Sequence, residues 1–101
     1  MQAIQIMSAL AQDTRLKVYQ LLVERLPAGM TAGEIADSVK MSRNGMSPHF
    51  AILSAAGLVS AVKEGRQVIY KAEIKAVEEL AAFLGKAVQR AHEETLDSLD
   101  W

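Results

Sequence analysis

The chain has no cysteine, which excludes disulfides, thiolate metal sites and cysteine redox switches. That absence fits a reducing compartment. Prolines number two and histidines two in 101 residues, and aromatics make up 5%. No proline-rich linker, low-complexity tract or internal repeat interrupts the sequence. No apolar run approaches the length of a membrane span. The opening residues, MQAIQIMSALAQ, lack the basic region and long apolar core of a secretory signal. The expectation is a soluble, cytoplasmic protein forming one domain over residues 1–101. Catalytic material is also missing: there is no glycine-rich phosphate loop and no nucleophile paired with a base. Glu78 and Glu79 are adjacent and point to different helix faces, so they make no catalytic pair. Neither an enzyme nor a cofactor is expected.

Half of the residues are hydrophobic, enough for a small core. At this length a smaller share of surface is buried than in larger proteins, and pairing with a second copy is a common remedy. Net charge is −1, yet it is unevenly spread. Residues 40–72 carry Lys40, Arg43, Lys63, Arg66 and Lys71 against Glu64, or +4, whereas residues 73–101 carry three basic and seven acidic side chains, or −4. This is either ordinary solvated charge or a basic middle built for phosphate, and the charge pattern alone does not choose.

Ile4, Met7, Leu10 and Ala11 recur at helical spacing and predict a first helix over about 2–11. Asp13 is a candidate cap for a second helix, TRLKVYQLLVERL, with Leu16, Tyr19, Leu22, Val23 and Leu26 facing inward and Pro27 and Gly29 ending it. Thr31 followed by Glu34 is a capping-box pattern for a third helix whose inner face is Ile35, Ala36 and Val39.

The stretch SRNGMSPHFAILSAAGLV then places Met46, Phe50, Leu53 and Ala56 on one side of a fourth helix that Gly57 terminates. The opposite side carries Asn44, Ser47, Pro48, Ala51 and Ala55, with His49 on the flank nearer the core. Pro48 admits two readings. In a helix that starts at Arg43 it removes a backbone donor and crowds the Asn44 carbonyl, at a cost of about 3 kcal/mol. With Ser47 as cap, Pro48 becomes the first helical residue, where proline is favoured. The second reading is slightly preferred. Two β-rich runs, LVSAVK and QVIYKA, flank a turn of Glu64, Gly65 and Arg66 and predict a hairpin. A long helix follows from about Ile74, where Val77, Ala81, Leu84, Val88 and Ala91 alternate steps of four and three, a seam for another helix. The tail HEETLDSLDW either continues that helix or frays.

This order is mainly α with a small β-hairpin, α-α-α-α-β-β-α, the layout of a winged helix-turn-helix. Its helix-turn-helix spans about 32–57, its wing about 58–72 and its two dimerisation helices about 2–11 and 74–96. A helix about 10–12 Å wide fits a major groove about 12 Å across, and a wing bearing Lys63 and Arg66 is well placed for the neighbouring phosphates.

The segments ALAQDTRLKVYQLL, TAGEIADSVKMSRNGMSPHFAILSAAGLV and KEGRQVIYKA resemble the ArsR-type (arsenical-resistance-repressor) family of bacterial transcription factors. The likeness runs from about Ser8 to Ala72 and rests on DTRL, on Ser47 and His49 in the recognition helix, on AAGLV and on the wing's EGR. It implies a homodimeric repressor that sits on double-stranded operator DNA and is clasped through its first and last helices. The dimer interface expected here is Ile4, Met7, Val77, Ala81, Leu84, Val88 and Ala91. The resemblance also implies base-facing positions at Asn44, Ser47 and Pro48, with Arg43 beside them. Asn pairs bidentately with adenine, and Arg with guanine or a phosphate. Pro48 offers apolar contact only, for example to a thymine methyl, and Ala51 adds no hydrogen bond. DNA shape and phosphate contacts are therefore expected to supply much of the specificity. His49 is either a phosphate contact or a packed or capping histidine.

Family members that sense metals carry cysteines at the start of the third helix, where this chain has Thr31 and Gly33. Others use paired carboxylates and histidines of the last helix, where it has Glu73, Lys75, Lys86 and Gln89. No metal site is expected. His92 beside Glu93 and Glu94 is the nearest approach to a nitrogen–oxygen set, but a solvated histidine on an acidic helix end is the commoner case. Three modes of control stay open: an organic or anionic ligand in the dimer interface, a partner protein, or no ligand. The rival function is a winged-helix module for protein contact that does not bind DNA, favoured by the overall charge and the sparse polar face.

Overall fold

A computed structural model describes residues 1–98. Helix α1 (Ala3–Leu10) and helix α2 (Asp13–Glu24) lead into a two-residue strand, β1 (Met30–Thr31). The helix-turn-helix pair follows as α3 (Ala32–Ser38) and α4 (Arg43–Ala55), then the hairpin β2 (Val59–Glu64) and β3 (Gln67–Ala72), and last α5 (Lys75–Ser98). This is a mainly helical winged helix-turn-helix with a small antiparallel wing. Helix α5 carries most of the tail, and residues 99–101 lie outside the described residues.

Why the chain takes these turns is visible at the ends of its elements. The capping box of α3 forms as expected. The Thr31 hydroxyl accepts the Glu34 amide at 3.1 Å, and the Glu34 carboxylate accepts the Thr31 amide at 3.0 Å. Those bonds from Thr31 hold the Glu34 carboxyl below its ordinary pKa. Helix α4 ends in a Schellman motif: the Leu58 amide donates to the Leu53 carbonyl and the Gly57 amide to the Ser54 carbonyl, both at 3.0 Å. Gly57 takes the left-handed conformation this requires (φ 74°), and Leu53 and Leu58 close the motif with fully buried side chains. Gly65 (φ 61°) occupies the first central position of the two-residue wing turn, the pattern of a type II′ hairpin.

The hairpin is one strand wider than expected, because β1 pairs with β3 and gives the order β1-β3-β2. Two residues are too short to show strand alternation, and Thr31 reads in the sequence as a cap. Gly29 permits the pairing: a Cβ there would lie 2.6 Å from the Tyr70 carbonyl oxygen, and φ is +77°.

The core gathers Ile6, Val18, Leu22, Met30, Ile35, Met46, Leu53 and Leu58, each worth about 1.5–3 kcal/mol when fully buried. Helix α2 buries Tyr19 and Leu22 as expected, but adds Val18 and leaves Leu16 and Val23 42 and 38% exposed; Leu26, 37% exposed, lies beyond the helix end. Its apolar residues flank the helix on both sides, so periodicity did not fix which side meets the core. Its cap is Gln12, whose side chain accepts the Arg15 amide at 2.8 Å; Asp13 is the first helical residue. Helix α1 likewise buries Ile6 and Ala9 and leaves Ile4 81% exposed. Past Leu80, every side chain of α5 from Ala81 to Thr95 is exposed, and the chain is 64 Å long but only 22 Å across.

Pro48 lies inside α4, not at its start. Ser42 is the cap, its hydroxyl accepting the Gly45 amide at 2.9 Å, and Arg43 is the first helical residue. With the first turn helical, Met46 sits fully buried in line with Phe50 and Leu53. Burial thus outweighs the proline's preference for a helix start.

Two stability outcomes follow. Replacing Pro48 by alanine restores a donor for the Asn44 carbonyl and should raise unfolding stability by about 1–3 kcal/mol, read as a higher urea midpoint at unchanged slope. Thr31→Ala should lower it by about 1 kcal/mol. Because the Glu34 pKa is depressed by folding, its contribution is present above the ordinary carboxylate pKa and fades as pH falls through the folded value. The gap between parent and Thr31→Ala should therefore narrow in acid-side urea titrations.

Candidate nucleic-acid interface

The fourth helix divides cleanly by face. Met46, Phe50 and Leu53 turn into the core, while Asn44, Ser47, Pro48 and Ala51 are exposed on the other side, and Arg43, also exposed, lies at the start of the helix beside α3. No acidic residue stands in its first turn. A helix packed this way offers a narrow outer face of small side chains, with amide and hydroxyl groups at Asn44 and Ser47 able to reach base edges and a guanidinium at Arg43.

The wing is held against this helix by an aromatic stack. The rings of Phe50 on α4 and Tyr70 on β3 lie 4.2 Å apart at 11°. Such a contact fixes the spacing between helix and hairpin. Lys63 and Arg66 are exposed toward the tip of the hairpin. Arg66 and Arg43, which lie 23 positions apart in the sequence, line one cleft of about 230 Å³ with Thr31, Ala32, Gly33, Gln67 and Val68. The fold thus brings a helix arginine and a wing arginine to the same place; Lys63 is not among the residues of that cleft.

His49 occupies the flank of α4 and is half-buried. Its Nδ1 lies 3.3 Å from Nη1 of Arg15. Arginine only donates, so Nδ1 is the acceptor and the ring proton sits on Nε2. The same guanidinium donates from Nε to the Ala9 carbonyl at 2.6 Å and from Nη2 to the Ser8 carbonyl at 3.4 Å. Gln5 adds a bond from its side-chain amide to the Ala55 carbonyl at 3.2 Å. Helix α1 is therefore tied to the recognition helix at two points. Sequence reading missed this use of Arg15; the DTRL stretch carried it, but spacing says nothing about a partner 34 residues away.

The expected interface residues of the terminal helices separate into two groups. Ile4, Met7, Ala81, Leu84, Val88 and Ala91 are all exposed. Val77 is half-buried and packs partly on its own core. Phe83, 53% exposed, belongs to the same bare stretch of α5 although the seam pattern omits it. His92, Glu93 and Glu94 are exposed on α5. Among the described residues no three histidine, aspartate or glutamate side chains cluster as metal ligands, and no helix is long and apolar enough to cross a membrane.

The likenesses to known proteins follow the same elements. Residues 10–61 match a helix-turn-helix domain family. The transcriptional activator HlyU of Vibrio cholerae is 31% identical over 81 aligned positions, covering 77% of this chain and 72% of HlyU. Among solved structures, an ArsR-like transcriptional regulator from Rhodococcus superposes with a TM-score of 0.82 at 25% identity, over 95% of this chain and 88% of that one. The homodimeric winged helix-turn-helix DNA-binding domain of Mb0332 from Mycobacterium bovis, described as a possible ArsR-family regulator, gives 0.66 at 28% identity over 99% and 86% of the two chains. Such proteins regulate transcription and are not enzymes. With fold, recognition helix and wing in agreement with these relatives, the chain belongs to the ArsR family of winged helix-turn-helix transcriptional regulators.

Proposed function

We propose that the chain works as a homodimeric repressor that occupies operator DNA with two copies of α4 and its wing, and that it does so without the metal sites of its metal-sensing relatives. The observation that carries the DNA-facing half is the division of α4 into a buried apolar face and an exposed face of Asn44, Ser47, Pro48 and Ala51, with Arg43 exposed at the start of the helix. Asn44 and Ser47 read base edges, Pro48 makes apolar contact, and Lys63 and Arg66 meet phosphates from the wing. His49 stays braced by Arg15, leaving its Nε2 proton as a donor.

The dimer half is supported by α5. In proteins most helical stability comes from packing of an amphipathic face, yet α5 is exposed from Ala81 to Thr95 and presents Phe83, Leu84 and Val88 outward. Ile4 and Met7 expose a second apolar strip on α1. A second copy laid along both helices buries them together, as isologous pairing requires. The homodimeric description of Mb0332 supports the same arrangement here. In this reading the chain is one functional unit: helix-turn-helix, wing, and dimerisation helices over about 2–11 and 74–96. Two α4 helices related by a two-fold axis then meet half-sites about 34 Å apart or at multiples of that distance.

Metal independence is supported by the residues at the family's ligand positions. Thr31 and Gly33 supply no thiolate, and Glu73, Lys75, Lys86 and Gln89 include no imidazole. Repression follows from occupancy of the operator.

The decisive experiment is duplex binding across a salt series, with oligomeric state measured in parallel. The parent should sediment as a dimer at micromolar concentration, and its affinity should fall steeply as salt rises, with a log–log slope of about −0.9 per phosphate neutralised. Leu84→Glu should yield monomers and lose at least about tenfold in DNA affinity, because each monomer holds one half-site only. Chelator or added zinc should leave the binding curve unchanged. A parent that sediments as a monomer, or that ignores salt, would sink the reading. A reporter that rises when the bound dimer is present would reverse the assigned sign of regulation.

A further inference from the structure

The sequence places Gly33 two residues beyond the Thr31 cap, within α3 where a glycine weakens the helix. Its φ is not left-handed, so backbone conformation does not call for glycine. What lies against it is Arg43. A Cβ built on Gly33 would meet the Arg43 guanidinium, and its three nearest heavy atoms, Nη2, Cζ and Nε, all belong to that one group. Gly33 is buried beneath this arginine.

The seat matters because of where it turns the arginine. Arg43 and Arg66 line the same cleft between the start of α3 and the wing turn. Neither has a hydrogen-bond or ion-pair partner among the described residues. On α3, the Glu34 carboxylate is already committed to the Thr31 amide, and Glu64 ends β2 just before the turn. Two unpaired guanidiniums beside one small cleft lack an anion. A planar guanidinium offers paired donors that match phosphate oxygens, and two of them suit a single tetrahedral group.

We propose that Gly33 is a positioning residue that seats Arg43 in the wing cleft, where Arg43 and Arg66 together grip one backbone phosphate of the bound duplex. This rests on the DNA-binding reading above and narrows it: Arg43 sets the register of the protein on the backbone and does not read a base. Base discrimination is left to Asn44, Ser47 and Pro48.

The test compares the parent with Gly33→Ala, Arg43→Ala, Arg66→Ala and the Gly33→Ala/Arg43→Ala double variant. Each is titrated with a random-sequence duplex of about 30 base pairs, long enough for two half-sites, and with a selected operator duplex, over a salt series. Gly33→Ala keeps every charge and suits a helix, so its thermal midpoint should not fall below the parent's. It should nevertheless weaken both duplexes alike, by about five- to tenfold, and reduce the salt slope by up to about 0.9 per protomer. In the Arg43→Ala background the glycine substitution should cost nothing further, since no guanidinium is left to displace.

Parent-like binding by Gly33→Ala overturns the proposal, as does an added loss in the double variant. A shift in preference at one base pair in Arg43→Ala, with the salt slope intact, would make Arg43 a base reader and overturn it too. Inorganic phosphate, titrated at constant ionic strength without DNA, should leave the Gly33 and Arg66 amide resonances unmoved; saturable shifts there would assign the cleft to the free anion instead of the duplex. Loss of salt-dependent binding in the parent is a separate result, which removes the DNA-binding reading itself.

Discussion

The contact between Phe50 and Tyr70 governs the geometry of everything on the outer surface. One ring belongs to the recognition helix and the other to the central strand of the sheet, and their near-parallel stack leaves little freedom between the two. Immediately beyond it, Leu53 and Leu58 lock the end of α4 to the start of β2 through the Schellman turn. Helix and wing are thereby joined through the buried Phe50, Leu53 and Leu58 and the half-buried Tyr70. Arg43 and Arg66, far apart in sequence, share a cleft on elements that those rings and leucines hold together.

The fold was legible wherever a local signal decides the structure alone. The capping box at Thr31 and Glu34, the glycine stop at Gly57 and the two β-rich runs around Gly65 each act within a few residues, and each appears as read. Legibility failed where a tertiary contact overruled the local preference. Pro48 favours a helix start, but the helix that buries Met46 begins at Arg43. Helix α2 has apolar residues on more than one side, and only its neighbours decide that Val18 goes inward and Leu16 does not. Strand β1 is invisible by periodicity because two residues cannot alternate.

The candidate site follows the same division. Which residues of α4 face outward was readable from helical spacing, and Asn44, Ser47, Pro48, Ala51 and Ala55 are all exposed. The partners of those residues were not readable. Gly33 looked like an empty position where relatives place a ligand, and its relation to Arg43 depends on the angle between α3 and α4. His49 was left between a phosphate role and a packed one; its bond to Arg15 comes from the approach of α2, which no spacing on α4 encodes.

The straps from α1 to α4 have a mechanical consequence. Gln5 holds the far end of the recognition helix and Arg15 holds its middle through His49, while the other side of α1 presents Ile4 and Met7 outward. The position of α1 is thus coupled to that of α4 by these side-chain bonds as well as by the buried Ile6 and Ala9.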